Sequence, residues 1–195
     1  MMKRQLFATA ATLAASLTIA TSAAAADCEV QKDSVWDMSA GEITAFYDCM
    51  EASMAEAYAK NELEAAGVYR DWTVTSTRPA VQGAHSGRLL QTFANDAAAE
   101  QYLKFQSEGV EMPAGSVLAK ESFGVKDGTG RVGPLFLMTK LDEGESPDTD
   151  DWRYDAVTGS GGTMGISQAF CHDCHVQWEA QDNLAYPIEE VRVSN

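Results

Sequence analysis

Apolar residues recur at three- and four-residue steps from Ile43 through Phe46, Tyr47, Met50 and Met54 to Tyr58, which lines them along one face of a helix. Ser39, with Glu42 three residues on, has the capping-box spacing that opens such a helix. The period then shortens. Trp72, Val74 and Thr77, with Thr73 and Thr75 between them, predict a strand between Tyr69 and Arg78. Residues 86–94 predict a second strand, and Asn95 caps a short helix through Tyr102 and Phe105 that Gly109 and Pro113 end. A third strand is expected at 116–123, a Gly/Lys/Asp turn at 126–131, a fourth strand at 135–140 and a fifth at 151–156. Short strands joined by turns, with helices at the ends, make this an α+β fold built mainly on an antiparallel sheet with flanking helices.

Two stretches fit no element. Residues 141–151 carry six acids in eleven positions and Pro147, which reads as a solvated loop. They do not place a glycine and a terminal glutamate where a calcium loop has them. Residues 158–165 are rich in glycine, but no basic residue or phosphate-binding fingerprint accompanies them, so they read as a flexible connection.

The start of the chain changes the picture. Lys3 and Arg4, an Ala/Leu-rich apolar run and the small residues 23–26 before Asp27 have the form of a secretory signal over residues 1–26. The run is too short and too alanine-rich for a membrane span. A periplasmic protein starting near Asp27 is expected, with a helical extension over 27–66 and the main domain over 67–195. The whole chain carries a net charge of −15, and losing Lys3 and Arg4 makes it −17. That balance excludes nucleic acid and an anionic membrane surface as partners and allows a basic protein.

Export also frames the four cysteines. Cys28 and Cys49 form a pair near the expected mature N-terminus, and a disulfide is their default state in an oxidising compartment. Cys171 and Cys174 belong to Cys171-His172-Asp173-Cys174-His175. Two thiols at this spacing reach two vinyl groups of one haem as thioethers, and the histidine that follows is placed to ligate the iron. A structural zinc needs further ligands, and only His85 and His172 remain. A thioredoxin-type redox pair sits after the first strand of an α/β domain, not some twenty residues from the end. A plain disulfide leaves the adjacent His175 without a role. One covalently bound haem c, on a C-terminal helical segment, is therefore the expectation.

The second axial position decides the chemistry. No methionine follows the motif; Met112, Met138 and Met164 all precede it and read as core or loop residues. His85 could ligate, but as a lone histidine in a glycine-containing turn it is expected to be exposed, and His172 to be a solvent-facing spacer. A five-coordinate iron with an open distal pocket is the preferred reading.

A C-terminal haem motif preceded by Tyr69-Arg70-Asp71-Trp72, Lys120-Glu121, Gly133-Pro134-Leu135-Phe136 and Asp151-Trp152-Arg153-Tyr154 resembles the cytochrome P-460 and cytochrome c′-beta family. The likeness spans residues 69–175 and leaves out the N-terminal helix and the tail after Val176. It implies a mostly antiparallel β-fold, often homodimeric, with one haem c and an open distal side. Members of the P-460 type oxidise hydroxylamine and pass electrons to another cytochrome, and a lysine of theirs is bonded to the porphyrin edge. Lys120 matches that lysine, and strand alternation puts Leu118, Lys120 and Ser122 on one face. Their distal carboxylate falls near Thr139, where no acid stands, although Asp142 and Glu143 are close in sequence. The resemblance therefore allows two outcomes: redox chemistry on hydroxylamine or a related small nitrogen compound, or non-catalytic nitric oxide binding or electron transfer.

Overall fold

The computed structural model describes residues 28–82 and 85–194, so the expected signal at 1–26 lies outside the described residues. The long helix, α1 (Ala40–Tyr58), opens with the capping box: the Ser39 side chain accepts from the Glu42 amide, and Glu42 accepts from the Ser39 amide. Its apolar stripe of Ile43, Phe46, Met50, Met54 and Tyr58 is buried, and a short second helix, α2 (Glu64–Val68), follows.

Seven strands among the described residues form one antiparallel sheet: β1 (Thr73–Val74), β2 (Ala80–Val81), β3 (Leu89–Ala94), β4 (Val117–Lys126), β5 (Thr129–Val132), β6 (Leu135–Lys140) and β7 (Trp152–Val157). Its order is β1-β3-β4-β6-β7, with β2 also on β3 and β5 on β4. Helix α3 (Asp96–Tyr102), capped by Asn95, links β3 to β4, and α4 (Gln168–His175) follows β7.

Several boundaries differ from the sequence reading, each for a local reason. The strand expected from Tyr69 shrinks to two residues because Tyr69–Asp71 is a 3-10 turn that carries Tyr69 and Arg70 into the core. β3 starts only at Leu89 because His85 and Ser86 hold positive φ angles of 58° and 63°. The turn expected at 126–131 narrows to Asp127 and Gly128, both left-handed, as a tight hairpin turn requires. β4 therefore runs on to Lys126, and β5 lies in what had read as turn.

Each face of the sheet supports its own core. Ala119, Phe123, Leu135, Leu137 and Phe93 face α1 and pack with Phe46, Met50, Tyr58 and Cys28. Leu118, Met138, Trp152 and Tyr154 pack with α3 and with Leu184 and Tyr186 of the C-terminal segment. That segment runs back to the opposite edge, where Arg192 bridges Ser76. Cys28 and Cys49 are joined by a disulfide that ties the start of the described chain to α1. No helix among the described residues is long and apolar enough to cross a membrane.

Candidate functional site

The site is built on the sheet face turned away from α1. In the central ladder Thr92, Lys120, Phe136 and Ala156 pair in one row across β3, β4, β6 and β7, so their side chains share that face. Lys120 reaches the Ala185 carbonyl at 3.4 Å, and burial pushes its ammonium down to about 8. Glu121, next in the strand, faces the α1 side. It is fully buried there and accepts hydrogen bonds from Tyr47 at 2.9 Å, from Tyr69 and from Arg70.

Helix α4 closes the site. Ser167 caps it through the Phe170 amide. Cys171 and Cys174, three residues apart and so on one side of the helix, both carry free thiols, the second of them exposed. His175 is 7% exposed at the helix end. Its Nδ1 lies 2.9 Å from the Asn183 carbonyl, so Nδ1 carries the proton and Nε2 is left as a ligand atom. Burial, with Lys120 adding to it, pushes the imidazole down to about 4, which keeps the metal-binding neutral form at pH 7. Tyr154 packs on the ring at 5.3 Å and Trp178 at 6.2 Å between centroids.

Two histidines are not where the sequence reading put them. His172 is no solvent-facing spacer: its Nδ1 is 3.3 Å from the Tyr154 hydroxyl and its Nε2 is 3.7 Å from Asp150. The helix turns it towards β7 instead of outward. His85 is not an exposed turn residue either. Its left-handed backbone swings the ring over the sheet, where it lies 4.3 Å from Phe136 and 6.5 Å from His175 between centroids. Burial, with Lys120 and His175 adding, lowers it to about 3.

The carboxylate position also moves. Thr139 pairs with Val117 and shares the α1-side face of Ala119 and Leu137, so it turns away from Lys120 and His175. Asp142 and Glu143 are exposed in the loop held by Asp151. Asp182, next to Asn183, is engaged by Lys140 at 2.7 Å, by the Trp152 indole and by the Met112 amide. Sequence reasoning missed Asn183, whose only signal is the left-handed Asp182-Asn183 pair that turns the chain back beneath α4. Two surface cavities, of about 460 and 370 Å³, lie elsewhere: one beside Trp36 and Arg88, the other beside Glu51 and Arg70.

The family model described as Cytochrome P460 matches residues 67–185. The chain belongs to the cytochrome P460 family. The match extends ten residues past His175 and so takes in Asn183 and Ala185, which the resemblance seen in the sequence had left out. No curated protein matches the chain.

A cytochrome P460 is a haem protein, and the residues present suit that group. Two free thiols and a buried imidazole with one nitrogen anchored converge at α4. The Oδ1 of Asn183, whose carbonyl anchors His175, is buried without a hydrogen-bond partner among the described residues. Phe170, one residue before Cys171, is 76% exposed, which is unusual for a large apolar side chain with a core to enter. A flat apolar group held at α4 would find an apolar neighbour there.

Proposed function

We propose that this cytochrome P460 is an exported, periplasmic, single-haem c-type protein that carries out redox chemistry on hydroxylamine or a related small nitrogen compound. In this reading Cys171 and Cys174 hold the haem as thioethers and His175 is its proximal ligand. When bound, the haem supplies an iron that takes a small ligand and exchanges electrons. The single observation that carries the reading is His175: buried, neutral, oriented by the Asn183 carbonyl, and next to two free thiols on the same helix.

Lys120 is the candidate cross-link to the porphyrin edge. It lies on the site face, and its lowered proton affinity leaves part of the population as the nucleophilic free amine near pH 8. Electrons leave to a second cytochrome, and a net charge of −15 on the whole chain favours a partner with a basic surface.

Non-catalytic nitric oxide binding is the second reading, favoured by one observation. Among the described residues no hydrogen bond or ion pair joins His85, Lys120 or His175 to a carboxylate. General base work on a bound nitrogen needs an acceptor within hydrogen-bond reach. The two readings separate in a hydroxylamine-dependent assay of the haem-loaded protein with an artificial electron acceptor. Turnover supports the enzyme. Its absence, together with tight nitric oxide binding, leaves the binding protein.

A further inference from the structure

The sequence reading passed over His85 as an exposed turn residue, and nothing in the proposed function uses it. The fold nevertheless directs it at the site. His85, Ser86 and Gly87 follow one another with positive φ angles of 58°, 63° and 64°. The first two are not glycine, so this conformation costs free energy that the surrounding structure must hold in place. Its effect is to lift the imidazole out of the turn and lay it on Phe136, 4.3 Å away. Phe136 pairs directly with Lys120, so His85 covers the row of side chains that faces the site. The His85 carbonyl is pinned by Arg88 at 3.0 Å. Its ring nitrogens make no hydrogen bond among the described residues. The ring is half-buried, so its nitrogens are free to ligate.

The spacing to His175 indicates what the ring is placed for. The two centroids are 6.5 Å apart, with planes at 74°. Imidazole–metal bonds of about 2 Å, with each centroid roughly 1 Å behind its nitrogen, put two rings that share one metal about 6 Å apart. Both axial rings contain the line through the metal, so any angle between their planes is permitted. His175 offers the nitrogen left free by Asn183, and His85 arrives from a different part of the fold, the β2–β3 connection.

We propose that His85 is the second axial ligand of the iron in the resting protein, opposite His175, and that a small nitrogen ligand gains the iron by displacing it. The exchange is ligand substitution alone: one iron–imidazole bond breaks, one iron–ligand bond forms, and no electron or proton is consumed. The proposal rests on the reading of His175 as proximal ligand. It deepens the proposed function by making the open position one that His85 vacates.

The test uses the full haem-loaded chain, with absorption and electron paramagnetic resonance spectra of its ferric form. The expected wild type is low-spin, His85→Ala is high-spin, and added imidazole returns that variant to low-spin. Cyanide, as a probe ligand, should bind the variant about tenfold or more faster, because access no longer waits on the fraction of molecules with His85 dissociated. A high-spin wild type overturns the proposal, as does a low-spin His85→Ala protein or an unchanged cyanide rate. Should His85→Ala fail to take up haem, His85→Phe keeps the contact with Phe136, and the same spectra decide. A low-spin wild type without hydroxylamine turnover upholds the ligation and removes only the oxidation reading. A high-spin wild type that turns over hydroxylamine does the reverse.

Discussion

Lys120 and Glu121 are consecutive in β4 and serve opposite sides of the sheet. The ammonium of Lys120 reaches the Ala185 carbonyl on the site face, while the Glu121 carboxylate is buried beneath α1 with Arg70, Tyr47 and Tyr69. Strand alternation makes this division compulsory. A one-residue slip of β4 would bury the lysine under α1 and put the carboxylate at the site. The Glu121 cluster thus acts on the site through register.

Removing the Glu121 side chain would leave the buried Tyr69 and half-buried Tyr47 hydroxyls without their acceptor and the Arg70 guanidinium, only 26% exposed, with Glu51 at 3.4 Å as its remaining carboxylate. Glu121→Ala should cost about 3–5 kcal/mol, as for other broken buried pairs. Urea unfolding of the variant measures it. A loss below about 1 kcal/mol would show that the cluster does not hold the register.

Lys120 predicts a pH dependence of stability. Its folded-state pKa, about 8, lies below the ordinary lysine value of 10.5, so the unfolded chain binds more protons between the two. Stability contributed by the neutral amine is therefore full above about pH 10.5 and is lost as pH falls towards 8, by about 3 kcal/mol at most. The haem-free chain, made with Cys171→Ser and Cys174→Ser, isolates this effect. Buried tyrosines with raised proton affinity, such as Tyr154 and Tyr186, lower stability near pH 10 and above. The quantity to follow is therefore the stability of this chain minus that of its Lys120→Ala variant, which should rise across the window. In the haem-loaded protein a porphyrin cross-link is read by mass spectrometry, as a haem peptide that joins the Lys120 segment to the Cys171–Cys174 segment. Two separate peptides would dismiss the cross-link.

Legibility in the sequence tracked the range over which each feature is decided. The capping box and apolar stripe of α1 act within a few residues, so the helix was readable from Ser39 to Tyr58. The Cys171–His175 motif is equally local. β5 stayed hidden because Asp127-Gly128 sits inside a longer polar stretch that reads as one turn, and the split into strand, turn and strand depends on pairing with the far half of β4. The strand expected from Tyr69 gave way to the pull of Glu121, some fifty residues away, on Tyr69 and Arg70. His85 meets His175 across ninety residues of chain, and no periodicity within its own turn encodes that contact. The orienting carbonyl of Asn183 is backbone and leaves no side-chain signature.

Gly130 marks the closest approach of the β4–β5 hairpin to α1. A methyl group there would run into the Met50 sulfur, the Phe46 ring at 2.9 Å and the Cys28 Cβ at 3.1 Å. The sulfur can swing aside, but the ring is wedged against Phe123 at 5.2 Å between centroids. Gly130→Ala should therefore destabilise by about 1–3 kcal/mol through overpacking. The haem spectrum should hold, because the site lies on the other face. A thermal midpoint equal to that of the wild type would mean that α1 can ride up on the hairpin without loss.

The Cys28–Cys49 bond closes a loop over a sequence separation of 21 and binds the first described residues to the third turn of α1. Cys28 also holds the hairpin edge, because its carbonyl accepts from the Gly130 amide at 2.7 Å and Glu29 bridges Thr129. Breaking the cross-link releases entropy to the unfolded chain, which for a loop of this size amounts to about 3 kcal/mol. The double variant Cys28→Ser, Cys49→Ser should lose that much in thermal or urea unfolding, and reductant should impose a matching loss on the wild type. Because the haem thioethers do not respond to reductant, the haem should stay attached to the chain while the stability falls. A variant as stable as the wild type, together with a reductant-insensitive wild type, would mean that the contacts of the segment around Cys28 with α1 and β5 suffice without the covalent bond.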